Sequence, residues 1–466
     1  MQLPIVGEAY SSRDDKQDTV NMYPEVNPTK QVEVLLGCPG KVLFSDNGAA
    51  PCRGLHIVSK NETRLYSVHG RKVWSNYNNG YSEVIGEIGT DEGLVSIADN
   101  GFEVVICDGS PVGYIYDIAG KTFNRISGFP GGQAIVFIDG YFITVTPDSQ
   151  RLWSSGLYDG NTWNALDVAE AEGDPDNISS ISTNHKELFI HGILSSEIWA
   201  NAGYATGFPF ARMQGGIVEY GLAAKNSVVR INNNIYMMAR TDKGERVIIQ
   251  ISGYQPSIIS TPGINYLLSL VPNTADFEAI AYTQEGHSFI VFSSTVGDLT
   301  IVFDTSTGKW HRRKSFGMGR WRSRCYAFFN NKHIVGDIQN GKLYELRMDK
   351  YSDDGDTIER IRIAQEIIDK EDNDRIFIHE LQLDMELGLG NDEVTNPVAV
   401  LQTSKDNGKT WGPDHVQPLM KKGEFRRRLM WHRLGMGRRR LFKLTITDPV
   451  SVVIRGAWIT AEKGKS

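Results

Sequence analysis

The chain has 466 residues, 40% of them apolar and 23% charged, with a formal net charge of -7. Length predicts two or three domains, or one large propeller with appendages, and the composition is that of a folded globular protein rather than a disordered one. No run of about 18 apolar residues is present, so no transmembrane helix is expected, and the acidic balance argues against a dedicated, tight duplex-DNA binder.

The opening, "MQLPIVGEAYSSRDDK", has no basic region followed by a long apolar stretch, and no secretory leader is expected. Residues 1–55 carry Pro24, Pro28 and Pro39 and read as an extended N-terminal arm lying on the rest of the fold. The four cysteines, Cys38, Cys52, Cys107 and Cys325, form no CxxC pair and are expected to be buried, reduced thiols. The histidines form no HxH or HExxH, so neither a metal nor any other cofactor is expected.

From residue 56 to 350, short β-branched and aromatic runs bounded by Gly, Asn, Asp and Ser recur every 30 to 55 residues or so, about the length of a propeller blade. Several end alike. "YIYDIAGKTFNRI" and "IVFDTSTGKWHRR" each place an Asp before a turn, then Gly-Lys, then an aromatic, and "LYDGNTWNAL" is a shorter version. The Asp carboxylate can accept turn amide hydrogens, Gly can supply a positive φ, and the aromatic can pack back on the sheet. The fold class is therefore all-β, with a β-propeller of six or seven blades over 56–350. A stacked array of sandwiches is the rival arrangement. The acidic stretch "DKYSDDGDTIER" breaks the rhythm, and 351–466 reads as a C-terminal antiparallel β-sandwich of five or six strands.

Within that last segment, "SKDNGKTW" fits the Asp box, a motif best known from sialidases. Asp406 with Asn407 and Gly408 makes a turn, Ser404 and Thr410 stand on its arms, and Trp411 is expected to pack beneath. A sialidase-like glycosidase would need a carboxylate acid/base, a Tyr nucleophile and an arginine triad. No spacing singles those out, and the motif reads as a structural hairpin with no catalytic residue. Glycan binding or cleavage by a propeller stays as the alternative function.

The segment "KKGEFRRRLMWHRLGMGRRRLFK" is the densest basic stretch. Its arginines, Arg426, Arg427, Arg428, Arg433, Arg438, Arg439 and Arg440, are expected to form a subunit or adaptor interface, ahead of a solvated strand edge or DNA contact. Asp353, Asp354, Asp356, Asp372 and Asp374 are candidates for the acidic surface they would meet on a neighbour. A second basic stretch, "HRRKSFGMGRWRSR", repeats the Gly-Met-Gly-Arg element. The Gly-x-Gly fragments near Gly388 and Gly435 lack a strand–loop–helix context, and the acidic loop "AEAEGDPDN" lacks EF-hand spacing.

The sequences "LQTSKDNGKTW" and "GEFRRRLMWHRLGMGRRRLFKLTITDPVSVVIRGAWI", with "NMYPE", "GCPGK" and "LYDGNTWNALDVAEAEGDPDNISSI" upstream, resemble the phage stabilisation protein family of short-tailed phages. The resemblance implies a non-enzymatic virion component, assembled in the host cytoplasm, and a fold that includes a β-propeller. It further implies a ring of six copies below the portal and its adaptor, extending the DNA channel and helping to retain packaged genome until ejection. The partners so implied are further copies of the chain, the adaptor–portal complex, a tail needle or plug, tailspikes or fibres, and double-stranded DNA passing through the bore, with no membrane insertion.

Overall fold

A computed structural model describes residues 2–7, 16–27, 32–60, 63–171, 176–204, 206–369, 374–387, 394, 396–419 and 428–464. Almost every element is a strand. Among the described residues the sole helix is Pro262–Leu270, started by Thr261, whose hydroxyl accepts the Ile264 amide, and by Pro262 at the first turn, where no amide is needed.

Seven antiparallel sheets follow one another round a ring. Six are each built from one continuous stretch, covering 52–87, 96–125, 135–170, 178–218, 221–258 and 278–312. The seventh takes three strands from 323–347 and its outermost strand, Gly40–Asp46, from the N-terminal region. The innermost strand of this seventh blade packs beside that of the first, which closes the ring. The expected propeller is thus present, and the sandwich array is not.

The sequence explains how each blade turns. Between the first two strands of four blades, two-residue turns fall at Asp139-Gly140, Asn232-Asn233, Glu285-Gly286 and Asn330-Asn331, all with positive φ. That geometry matches the twist of the flanking strands and favours Asn, Asp and Gly. Further out, the repeated Asp acts as expected. Asp117 accepts the Ala119 and Gly120 amides at 3.0 and 3.1 Å, and Asp304 accepts the Ser306 amide at 2.9 Å and the Thr307 hydroxyl at 2.8 Å. Gly308 takes the left-handed position in the second of these turns, but in the first it falls to Lys121 rather than Gly120.

The N-terminal region does not lie over the fold as an arm. It is woven through it. Asp18–Val20 pairs with the outer strand of blade 6, Lys309–Arg312, and on its other side with Arg360–Ile363. Arg439–Ile446, Val398–Ser404 and His415–Pro418 follow, so one sheet of ten strands runs from the propeller's inner wall to the far edge of the C-terminal domain. The second sheet of that domain contains Met22–Asn27, Val32–Gly37, Val453–Lys463, Ile376–Met385 and Leu429–His432. A core including Leu35, Leu381, Leu401, Trp431, Phe442 and Ile459 fills the space between the two sheets, making the expected sandwich.

At the propeller axis, the innermost strands line a cavity of about 400 Å³ whose wall includes Leu55, Ile97, Ala134, Ile181, Val229, Ile280 and Tyr326. A void of this size suits small molecules. It cannot admit a duplex whose major groove alone is about 12 Å wide.

Candidate interaction surface

The Asp-box hairpin begins where Val398–Ser404 ends. Ser404 is buried, and its hydroxyl donates to Asp406 Oδ1 at 2.7 Å while accepting the Gly408 amide at 2.9 Å. Asp406 accepts the Thr410 amide at 2.9 Å and the Thr410 hydroxyl at 2.5 Å. These hydrogen bonds, with the Thr410 hydroxyl contributing most, hold the Asp406 carboxyl down at about 2. It is therefore ionised at neutral pH and its lone pairs are committed to the turn, so it cannot serve as a proton donor. Asn407 and Gly408 carry the positive φ values, 58° and 75°.

One expectation fails here. Trp411 is half-exposed rather than packed beneath the hairpin: its ring covers Gly408 and receives Lys443 Nζ 4.7 Å from its centroid. The wall that buries Ser404 comes instead from the neighbouring strand, where Ser404 pairs with Leu441 and Thr403 with Phe442.

That strand is the end of the basic segment, so the hairpin and the arginines are adjacent. Arg426 and Arg427 lie outside the described residues. Arg428, Arg433, Arg438 and Arg439 are exposed. Arg433 takes φ 58° as the chain turns after Leu429–His432, and its amide donates to the His379 carbonyl at 2.8 Å. Arg439 reaches Glu366 at 3.5 Å. Arg440 is different. It is 1% exposed, it donates to the Leu434 carbonyl, its Nε has no partner, and burial lowers its pKa. It is a core residue, since alternation along Arg439–Ile446 turns it to the opposite face from Arg439.

Of the acidic candidates, Asp353 is drawn inward, Asp374 is half-buried, and Asp354 and Asp356 are exposed, each facing a cation of its own chain. Asp353 is buried against Lys41 at 3.2 Å, Asp354 lies 3.7 Å from Lys342, Asp356 lies 3.3 Å from Arg322, and Asp374 lies 3.8 Å from Lys463. Asp372 lies outside the described residues. The second basic stretch is internal. Arg313 is fully buried, with its guanidinium about 5 Å from the ring centres of Phe289, Trp321 and Tyr282 and a hydrogen bond to the Tyr282 hydroxyl. Arg320 and Arg324 share one carboxylate, Glu278, at 2.9 and 2.7 Å.

Glu278 therefore has a role that sequence reasoning missed. It sits on the inner strand of blade 6, beside the central cavity, and neutralises two cations brought from the blade 6–7 connection and blade 7. The signal available was the density of arginine around a tryptophan, but nothing local announced a partner over 40 residues upstream. What the arrangement offers chemically is a rigid junction of buried cations inside, with a cluster of exposed arginines, Arg428, Arg433, Arg438 and Arg439, at the sandwich end.

Two family models match in sequence order. The model described as bacteriophage P22 Gp10, β-propeller, covers residues 1–351, and the one described as bacteriophage P22 Gp10, β-sandwich, covers 361–462. The chain belongs to the bacteriophage P22 Gp10 family. The first Gp10 model takes in the whole N-terminal region, which agrees with Gly40–Asp46 completing blade 7. A search of curated proteins returns no match. Among solved structures, the WD40 propeller domain of Doa1 is 11% identical (TM-score 0.42, covering 66% of this chain and 97% of that one). Virginiamycin B lyase from Staphylococcus aureus is also 11% identical (TM-score 0.46, 66% and 98%). The computationally designed Ika8 protein is 13% identical (TM-score 0.40, 73% and 100%). These likenesses are too distant to bear on function. Membership of the Gp10 family makes this a phage structural protein of the packaged-DNA stabilisation type.

Proposed function

We propose that the chain is a tail component of a short-tailed phage virion that assembles as a ring, expected to hold six copies, beneath the portal and its adaptor. The ring extends the DNA channel and helps retain the packaged genome until ejection. The observation that carries this reading is the pair of Gp10 matches, propeller then sandwich, spanning nearly the whole chain.

The physical features support it. The propeller's own cavity, about 400 Å³, is too small for duplex DNA, so a DNA channel has to lie between copies rather than through one. The chain as a whole carries a net charge of -7, which disfavours tight adhesion to phosphates and suits a channel through which a duplex slides. The ten-stranded sheet joins propeller and sandwich without a hinge, so each copy is a stiff strut. Arg428, Arg433, Arg438 and Arg439 stand exposed at the sandwich, suited to bidentate contact with carboxylates on the adaptor or on a neighbouring copy. Those carboxylates come from surfaces other than Asp353, which is internally paired.

Electron microscopy of intact particles tests the proposal. The expected result is density for a ring of this chain between the adaptor and the tail tip. A protein absent from particles, or one that stays monomeric both alone and with the adaptor–portal complex, overturns it.

A further inference from the structure

The axial cavity differs in charge from the chain around it. Its wall holds four cations, Arg53, Lys225, Arg230 and Arg324, against a single carboxylate, Glu278. The chain as a whole carries -7. Four antiparallel strands return the chain to the end where it entered a blade, so the inner strands all start at one end of the cavity. Arg53 and Arg324 are each the second residue of an inner strand, and Glu278 is the first residue of its own. Arg230 stands towards the other end, where it donates to the Thr183 carbonyl at 3.2 Å.

Lys225 reaches the crowded end through an irregularity. The inner strand of blade 5 is broken: Gly221–Leu222 and Val229–Ile231 both pair with Asn234–Arg240, and the residues between them leave the ladder. The Ser227 hydroxyl ties this loop down, accepting the Met238 amide at 3.1 Å and donating to the Ala224 carbonyl at 2.7 Å. The Asn226 carbonyl accepts the Ala279 amide at 2.9 Å, which holds the loop against the start of the Glu278 strand. Such interruptions re-aim side chains. This one leaves Lys225 exposed at the cavity, with no ion pair or hydrogen bond among the described residues.

The other groups at this end are partly spent. Glu278 already serves Arg320 and Arg324, at 2.9 and 2.7 Å. Arg324 uses only its Nε for that carboxylate, and its two terminal amino groups have no hydrogen-bond partner among the described residues. Arg53 gives its five N–H groups to the Gly70, Thr90, Glu92 and Gly93 carbonyls and the Thr90 hydroxyl, so it contributes charge rather than contact. That hydroxyl in turn donates to Asp108 at 3.0 Å. Ser179 and Ser180 also line the cavity, and their hydroxyls have no partner among the described residues.

We propose that this end of the axial cavity binds a small oxyanion, a phosphate or a carboxylate, between Lys225 and Arg324. Both cations offer N–H donors that the chain leaves unused, so the anion gains charge-assisted hydrogen bonds without breaking any. The recess focuses the field of its surplus cations as a flat surface would not. Its volume, about 400 Å³, takes a small molecule. The bound anion ties the loop of blade 5 to the start of blade 7 across Glu278, and it stabilises the propeller by mass action.

The test uses the full-length protein in dilute Tris chloride. Inorganic phosphate and succinate are titrated separately by calorimetry, and the thermal midpoint is followed as each is raised. The expected result is saturable binding of at least one of them at one site per chain, with a midpoint that climbs with its concentration and an affinity that falls with added salt. Phosphate alone assigns the phosphate class, succinate alone the carboxylate class, and both together the shared chemistry. Lys225→Glu should weaken binding by about tenfold or more. It should leave the midpoint of the ligand-free protein unchanged, because Lys225 makes no contact that the fold uses. Lys243→Glu, an exposed change on the same blade away from the cavity, should bind as the parent does. Should the Lys225 reversal impair folding, Lys225→Gln removes the charge alone and decides instead. No saturable binding of either anion, or binding that survives Lys225→Gln undiminished and is therefore adventitious, overturns the proposal.

Discussion

At the scale of single residues, the charged groups that matter most are the ones water does not reach. Glu278 holds Arg320 and Arg324 with side-chain exposures of 6%, 1% and 17%. Removing the one anion that serves two buried cations leaves both uncompensated. Glu278→Gln should therefore cost about 3–5 kcal/mol in urea unfolding, far more than loss of the exposed Arg151–Glu170 pair, which should cost at most about 1 kcal/mol. Equal costs for the two would show that the junction does not depend on its charges. The histidines give a second check. Burial pushes His69 and His191 down to about 4, so each is neutral in the fold yet protonates near 6.5 when unfolded. Their effect is to stabilise fully above about 6.5 and to lose that stability as pH falls towards 4. His287 runs the other way. Its hydrogen bond to Asp304 at 2.8 Å raises its pKa, and its contribution is present below 6.5 and fades as pH rises through its folded value. Burial also lowers His311 and His333, so with four depressed groups against one raised the midpoint of thermal unfolding should fall as pH drops from 6.5 to 4, and His191→Gln should flatten that fall. A midpoint unchanged over this range would contradict the burial of these rings.

At the scale of elements, the blades were legible and their closure was not. Asp before a turn, Asn-Asn and Asp-Gly at hairpins, and period-two apolar runs are local signals, and they marked the strands of 56–350. Nothing local shows that Gly40–Asp46 belongs to blade 7, because its partner, Lys342–Arg347, is remote in sequence and any sheet edge could have taken it. The same limit applies to Asp18–Val20, which reads as part of a Pro-bearing arm and yet joins blade 6 to the sandwich. At the site, the Asp-box turn could be read residue by residue, since the hydrogen bonds made by Ser404 and Asp406 that shape it fall within Ser404 to Thr410. Arg440 could not be told from its exposed neighbours until the strand phase was fixed. A structural consequence follows for domain boundaries. A fragment starting at residue 47 keeps every blade motif but loses the outer strand of blade 7 and strands of both sandwich sheets. It should be insoluble or rapidly proteolysed, whereas a fragment spanning 1–351 should retain a closed propeller with sandwich-facing strands uncovered. Limited proteolysis and circular dichroism of the two fragments would show this, and a stable fragment from residue 47 would mean that the woven strands are dispensable.

For the whole molecule, the distribution of arginine separates folding from assembly. Arg313, Arg320, Arg360 and Arg440 are each about 1% exposed and belong to the interior, while Arg438 and Arg439 project from the sandwich. Reversing an interior charge acts on the monomer: Arg440→Glu places a carboxylate beside the Leu434 carbonyl with no cation near it, and should unfold the C-terminal domain. Reversing the exterior ones should leave the monomer nearly as stable, because the contact of Arg439 with Glu366 is long, at 3.5 Å, and partly exposed. If the exposed arginines meet carboxylates on another subunit, the double variant R438E/R439E faces like charges there, and like-charge contacts at an interface cost several kcal/mol. The expected outcome is a thermal midpoint within a few degrees of the parent protein together with loss of rings, alone or on the adaptor–portal complex, in native mass spectra and micrographs. Raised salt should weaken assembly of the parent protein, since exposed charges are screened within about 8 Å at physiological ionic strength. Normal rings from R438E/R439E, with no change in salt response, would place the subunit contact on another face and leave the exposed arginines as a solvated strand edge.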